Sequence, residues 1–202
     1  MSSRTVDMIY DFGSPNAYLA RRVLNRIAAR TGATINVIPC LLGDIFKATG
    51  NQAPMLAFAG IKGKNEYEAL ELRRFVARHG FDAFRINPHF PVNTLLAMRG
   101  FIAAKRMGVG DAYLDAVETA MWETGRKMDD PEVFVATLNE AGLDGAAIAA
   151  ATQDAAVKAE LAANTEAAVA RGAFGIPTFY VGEEMFFGKE RLGQVEEELA
   201  KG

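Results

Sequence analysis

Cysteine and histidine are scarce in this sequence of 202 residues, which holds one cysteine, Cys40, and two histidines, His79 and His89. A single cysteine cannot form an internal disulfide, and no Cys-x-x-Cys pair is present. A reducing, cytoplasmic location is therefore expected. Two histidines exclude most histidine-rich metal sites, and no ordered acidic loop suggests a site built from carboxylates, so we predict no metal.

Long apolar runs and a strong excess of one charge are also absent. The 22 lysines and arginines nearly balance the 25 aspartates and glutamates, which gives a net charge of −3, and no basic cluster is present. Nucleic acids and anionic membranes are therefore not expected as partners. No segment approaches the ~18 apolar residues of a membrane span, and the first residues lack the apolar stretch of a signal peptide. A globular chain with a substantial core is expected.

The segment DFGSPNAY, residues 11–18, joins a predicted strand to a predicted helix. Apolar residues alternate over 5–12, as in a strand. Ser14 followed by Pro15 is a strong helix-start signal, because serine caps a helix and proline has no N–H to lose at the first helical position. The apolar spacing that follows predicts a helix over 15–31. From these residues alone, Ser14 is either a plain cap or a group that helps hold an anion at the helix N-terminus.

Most of the remaining chain is predicted to be helical, with strands near both ends. A largely buried strand is predicted over 34–42 and a hairpin over 177–187 before a terminal helix. Helices are predicted over 64–79, from Asn93 to about 107, around 113–121, from Asp130-Pro131, and as a short and a longer helix within 145–171. This order predicts an α/β domain, residues 1–42 and 172–202, that is interrupted by a helical insertion, residues 43–171.

Three further side chains have competing interpretations. His79 continues an apolar helical stripe just before Gly80, which favours a structural role at the helix end over catalysis. His89 lies in the loop NPHFPVN, where either role is open. Cys40 follows a proline in an apolar strand, which favours a small buried hydrophobe over a catalytic thiol.

Five motifs, in order along the chain, resemble one family. They are DFGSPNAYLA at 11–20, TGNQAP at 49–54, FPVNTLLAMRG at 90–100, GAFGIPTFYVG at 172–182 and MFFGKERL at 185–192. With them the sequence resembles the 2-hydroxychromene-2-carboxylate isomerases, relatives of the kappa-class glutathione transferases within the DsbA-like group. The resemblance implies a thioredoxin-like fold, βαβ…ββα, with a large all-helical insertion.

The resemblance also implies where the reactive sulfur comes from. In redox relatives the first helix begins beside an active-site cysteine, and Ser14 stands in that place here. The second cysteine is absent too, so dithiol exchange is unavailable. The motif has no histidine or lysine that could activate Ser14 as a nucleophile, although Asp11 is close in sequence. Glutathione is therefore the implied cofactor, and Ser14 is the implied catalytic residue, which donates a hydrogen bond to its thiolate.

Other motif residues are assigned to glutathione by the same resemblance. The Ile176 backbone of a cis-proline loop is expected to pair with the cysteinyl part, and Lys62 to face the glycyl carboxylate. Glu190 stands where relatives carry aspartate, so it is expected either to meet the γ-glutamyl ammonium or simply to favour a helix N-terminus. The full predicted cofactor-binding set is Ser14, Asn51, Gln52, Lys62, Ile176, Pro177, Gly188, Lys189 and Glu190.

The implied activity is a glutathione-dependent cis-trans isomerisation of 2-hydroxychromene-2-carboxylate to trans-o-hydroxybenzylidenepyruvate in aromatic hydrocarbon degradation. A kappa-like transferase or peroxidase and a non-catalytic thioredoxin-fold binding module are the alternatives. An aromatic substrate requires an apolar slot with a polar end. Its candidate wall residues are Phe12, Asn16, Tyr18, His89 and Asn93. A homodimer is also expected.

Overall fold

A four-stranded mixed sheet organises the protein in the computed structural model, which describes residues 4–201. The strands are β1 (Thr5–Tyr10), β2 (Thr34–Pro39), β3 (Thr178–Val181) and β4 (Glu184–Phe187), in the order β2-β1-β3-β4. Strand β1 pairs in parallel with β2 and antiparallel with β3, and β4 is antiparallel to β3. The predicted thioredoxin-like arrangement, with both ends of the chain in one sheet, is confirmed.

Helices fill the chain between the two halves of the sheet. They are α1 (Pro15–Thr31), α2 (Leu42–Thr49), α3 (Pro54–Ala57), α4 (Lys64–His79), α5 (Leu95–Arg106), α6 (Gly110–Trp122), α7 (Pro131–Glu140), α8 (Gly145–Ala151) and α9 (Ala155–Ala170), followed after the hairpin by a 3-10 turn (Lys189–Arg191) and α10 (Leu192–Lys201). The side chains of Ser14 and Asp130 cap α1 and α7, as predicted from their Pro partners. The domain boundaries stay a prediction.

Three element boundaries differ from the prediction. Strand β2 ends at Pro39 and is only partly buried, because it lies at the edge of the sheet and has one neighbouring strand. Strand β1 ends at Tyr10 rather than at residue 12. The cap position of α5 is Thr94, and the Asn93 side chain accepts a hydrogen bond from the Leu95 N–H at 3.0 Å.

A buried ion pair fastens α1 to α6. Arg21 donates to both carboxylate oxygens of Glu118, at 2.7 and 2.6 Å, and the Tyr10 hydroxyl donates to the same carboxylate at 2.8 Å. Glu118 has no exposed surface, so these donors replace all of its hydration. The helix that begins at Ser14 is thereby held against the helical region, and no sequence motif had predicted this contact.

Candidate functional site

Ser14 occupies the turn between β1 and α1 and makes two hydrogen bonds through its hydroxyl. Its Oγ accepts from the Ala17 N–H at 3.2 Å and donates to the Ile176 carbonyl at 3.0 Å. The residue is 4% exposed and has an extended backbone, as an N-cap requires. The cap interpretation is therefore confirmed, and the same hydroxyl also ties the start of α1 to the loop before β3.

The loop 174–177 forms hydrogen bonds with three other segments that carry predicted glutathione-binding residues. These residues are Ser14, Asn51 and Gly188. Its Ile176-Pro177 peptide bond is cis, as the resemblance implied. The Phe174 carbonyl accepts from Asn51 Nδ2 at 2.8 Å, and the Pro177 carbonyl accepts from the Gly188 N–H at 3.0 Å. Together with the bond from Ser14, these contacts assemble residues that are far apart in sequence around one short loop.

Two backbone N–H groups beside Ser14 are unpaired in the described structure. The N–H groups of Asn16 and Ile176 have no hydrogen-bond partner among the residues that the structure describes. The first turn of α1 contains no acidic residue. Because a helix N-terminus carries about half a positive charge, this corner of the molecule favours an anion.

The Asp11 carboxylate stabilises the turn that contains Ser14, a role that the sequence interpretation missed. Its carboxylate accepts from the backbone N–H groups of Gly13 and Leu42, both at 2.8 Å, and from the Thr94 side chain. Burial raises the pKa of Asp11, and these hydrogen bonds offset part of the rise. The Ser14 hydroxyl donates to Ile176 and not to Asp11, so Asp11 does not act as its base here. The Asp-x-Gly spacing of an Asx turn could have revealed the structural role.

Cys40 is a core residue, as predicted. It has no exposed surface, and its thiol donates to the Asn164 carbonyl at 3.4 Å. Burial, followed by the nearby charge of Asp11, raises the pKa of the Cys40 thiol to about 12. A thiol with that pKa is protonated at neutral pH, so Cys40 supplies no nucleophile.

The turn that contains Glu190 lies directly after β4. Lys189 is 6% exposed, forms an ion pair with Glu190, and holds its amine 5.3 Å from the centre of the Phe75 ring. The Glu190 side chain remains 54% exposed. The carboxylate therefore lies at the surface beside Gly188, while the lysine points inward toward α4.

Gln52 and Lys62 are exposed and lie on the connections that flank α3. The Gln52 N–H donates to the Asn51 side chain at 2.8 Å, so it supports Asn51 directly. No hydrogen bond between described backbone groups joins the Lys62 segment to the loop 174–177. The expected Lys62 contact with glutathione stays a prediction.

The two aromatic residues predicted to line a substrate slot are buried in the core. Phe12 is 0% exposed and packs among aromatic rings that include Phe101, and Tyr18 is 2% exposed with its hydroxyl donating to Glu123 at 2.7 Å. Residues of α5 and α6 cover the Phe12 ring, and Phe84 stacks on the Tyr18 ring, so neither ring is at the surface in this structure. His89 and Asn93 are exposed and Asn16 is half-buried.

The loop that carries His89 and Asn93 passes beside the Ser14 turn. Its next residue, Thr94, comes within 3.3 Å of the position that a Cβ on Gly13 would occupy. His79, in contrast, packs between Phe75 and Phe81 at the end of α4, and this burial lowers the pKa of its imidazole. The structural role predicted for His79 is confirmed.

Residues 4–201 contain neither a metal-ligand cluster nor a membrane-spanning helix. Within that range no group of three or more histidine, cysteine, aspartate or glutamate residues could hold a metal ion. No helix in the same range has the length and apolar character needed to cross a membrane.

Comparison with known proteins identifies the family. A DSBA-like thioredoxin domain matches residues 5–200. The chain belongs to the DSBA-like thioredoxin family. The 2-hydroxychromene-2-carboxylate isomerase of Pseudomonas putida is 28% identical over 198 residues, which are 97% of this chain and 94% of the relative. Human glutathione S-transferase kappa 1 is 28% identical in an alignment 207 positions long, which covers 94% of this chain and 88% of the relative.

A solved structure extends this likeness to three dimensions. The structure of a 2-hydroxychromene-2-carboxylate isomerase superposes with a TM-score of 0.84 at 27% identity, and the match covers 98% of this chain and 95% of that one. The resemblance inferred from the sequence motifs is confirmed. The DSBA-like family member described here is thus related both to isomerases and to kappa-class transferases.

Proposed function

We propose that this protein is a glutathione-dependent isomerase that converts 2-hydroxychromene-2-carboxylate to trans-o-hydroxybenzylidenepyruvate. The observation that carries the proposal is the Ser14 hydroxyl, which lies at a helix N-terminus and against the cis Ile176-Pro177 loop. The only cysteine of the chain is buried and protonated, so a reactive sulfur must come from a bound thiol. The isomerase and glutathione transferase relatives support glutathione as that thiol.

The groups around Ser14 fit glutathione. The unpaired Ile176 N–H and its carbonyl offer the two bonds with which an extended peptide adds to a sheet edge. When the Ser14 hydroxyl turns from the Ile176 carbonyl to the sulfur, that carbonyl becomes free to accept the cysteinyl N–H. Asn51 lies at the other end of the same loop, through its bond to Phe174. After the exchange, the Ser14 hydroxyl and the Ile176 carbonyl would each still have a partner.

Ser14 has a defined part in this chemistry. When bound, glutathione would supply the nucleophilic thiolate for the cis-trans isomerisation, and Ser14 would be the side chain that holds that thiolate at the start of α1. Ser14 and the unpaired Asn16 N–H at the start of α1 would stabilise the anionic sulfur. They act without proton transfer, since neither Asp11 nor a histidine contacts the serine hydroxyl in the described structure.

The test measures isomerisation from the change in ultraviolet absorbance, with and without glutathione. Turnover should require glutathione and leave its concentration unchanged. Ser14→Ala should lower kcat/KM about 100-fold, the usual effect of losing one donor to a reacting anion. Cys40→Ser is the matched control and should retain full activity. A protein that loses activity in Cys40→Ser but keeps it in Ser14→Ala contradicts the proposal.

A kappa-like transferase or peroxidase is the second candidate, favoured by the 28% identity to the human transferase, which equals that to the Pseudomonas putida isomerase. Product analysis separates the two, because a transferase consumes glutathione and an isomerase does not. A non-catalytic binding module predicts no affinity for glutathione. A cytoplasmic homodimer belongs to the same proposal, and the exposed apolar side chains of Met55, Leu56 and Ile61 support an interface.

A further inference from the structure

Lys189 is an unusual lysine because its side chain is almost completely buried. It is 6% exposed, whereas lysines are rarely buried unless they are paired. Its amine lies 5.3 Å from the centre of the Phe75 ring on α4 and forms an ion pair with the neighbouring Glu190. Both contacts fix the ammonium in one place, on the inner side of the turn that follows β4.

The Glu190 carboxylate is held by Lys189 and lies over Gly188. Its Oε1 accepts from Lys189, and its Oε2 lies 2.9 Å from the position that a Cβ on Gly188 would occupy. Gly188 has a φ of 91°, which strains any residue with a Cβ, and a Cβ there would also displace the carboxylate from its position. Glu190 therefore folds back over Gly188 and presents its remaining lone pairs outward.

The same turn is anchored to the candidate site. The Gly188 N–H donates to the Pro177 carbonyl at 3.0 Å, and Pro177 follows Ile176, whose carbonyl accepts from Ser14. A short chain of backbone contacts thus connects Ser14 to Glu190. The position of the carboxylate is defined relative to the place where the ligand backbone would pair.

We infer that Lys189 is a positioning residue that orders the Glu190 carboxylate for the amino group of glutathione. The inference rests on the proposed function. A glutamate has one more rotatable bond than an aspartate, so an unrestrained Glu190 loses more side-chain entropy when it binds an ammonium. The ion pair with Lys189 restricts the carboxylate before the ligand arrives. Lys189 also repels the ligand ammonium group. This repulsion is smaller than the benefit of an ordered carboxylate, because the ligand side of the carboxylate is open to water, which screens the two charges.

The test compares glutathione with glutaryl-cysteinyl-glycine, the same molecule without its amino group. Binding of both is measured by titration calorimetry to the full-length wild type, Lys189→Met and Glu190→Gln. Lys201→Met is the matched control, since it removes an exposed lysine from the neighbouring helix. We expect the wild type to prefer glutathione about tenfold, as befits one hydrogen bond to a charged group. We expect the preference to fall to about twofold in Lys189→Met, through loss of one ordered side chain, and to vanish in Glu190→Gln.

The ratio of the two affinities separates positioning from folding, because a general loss of structure weakens both ligands equally. If Lys189→Met keeps the wild-type ratio, or if Glu190→Gln does, the inference is overturned while glutathione binding stands. If the wild type binds neither ligand, the proposed function fails and the inference fails with it. A lowered ratio in Lys189→Met with an unchanged ratio in Lys201→Met supports the role of Lys189.

Discussion

Ser14 and Cys40 follow the carboxyl ends of the neighbouring parallel strands β1 and β2, yet the two side chains have very different surroundings. Ser14 begins α1, where free backbone N–H groups and the cis-proline loop surround its hydroxyl. Cys40 donates its own N–H to the Tyr10 carbonyl at 2.9 Å and its thiol to the Asn164 carbonyl, with no exposed surface. The intrinsically more reactive side chain is thus placed where burial keeps it protonated near neutral pH.

The surroundings of each side chain, rather than its intrinsic nucleophilicity, decide which of the two positions can take part in a reaction. Cysteine is the better nucleophile, but the buried site of Cys40 raises its pKa to about 12. Serine is a weak nucleophile, but the site of Ser14 stabilises a negative charge brought by another molecule. Asp11 lies between the two positions, because its carboxylate binds Gly13 beside Ser14 and Leu42 just after Cys40.

Asp11→Ala should have the largest effect on this comparison. The change leaves the Gly13 and Leu42 N–H groups without an acceptor in a buried place, which costs about 3 kcal/mol of unfolding free energy. It should also loosen both positions at once, so activity should fall and Cys40 should become more accessible. Denaturant unfolding and the isomerase assay measure the two effects.

Asp44→Ala is the matched control for Asp11, because Asp44 is an exposed carboxylate in the first turn of α2. Its loss should cost only a few tenths of a kcal/mol, through the helix dipole. Equal unfolding free energies for the two variants would show that Asp11 does not hold the turn together.

Substitutions of Ser14 should separate its role as a cap from its role toward sulfur. Glycine caps a helix nearly as well as serine, whereas alanine costs about 1 kcal/mol at this position. Both lack the hydroxyl, so both should lower kcat/KM about 100-fold although only Ser14→Ala is clearly destabilised. Thermal unfolding and the isomerase assay give the two quantities.

Ser14→Thr is the control for this pair, because threonine keeps both the cap and the hydroxyl. It should retain more activity than either of the other variants. If Ser14→Gly is as active as the wild type, Ser14 is only a helix cap and the sulfur is stabilised by the backbone alone.

Local signals in the sequence predicted most of the fold but not the contacts between distant elements. Ser14-Pro15 and Asp130-Pro131 predicted their helices because a cap and a proline act on their own backbone. The Arg21–Glu118 pair was not predictable, since it depends on how α1 crosses α6. The burial of Phe12 and Tyr18, which were assigned to a substrate slot, was not predictable, because alternation along a strand or helix does not tell which face the next layer covers.

Cys40 should show the smallest effect, which sharpens the contrast with Ser14. With a pKa of about 12, only about one thiol in ten thousand is ionised at pH 8, so iodoacetamide should leave folded Cys40 unmodified while it alkylates the urea-unfolded chain. The raised pKa also means that this thiol favours the folded state below pH 9 and that the benefit is lost as the pH rises toward 12. Mass spectrometry of the folded and unfolded protein measures the modification. Rapid alkylation of the folded protein would show that Cys40 is reactive as well. The contrast between a reactive position at Ser14 and an inert one at Cys40 would then be wrong.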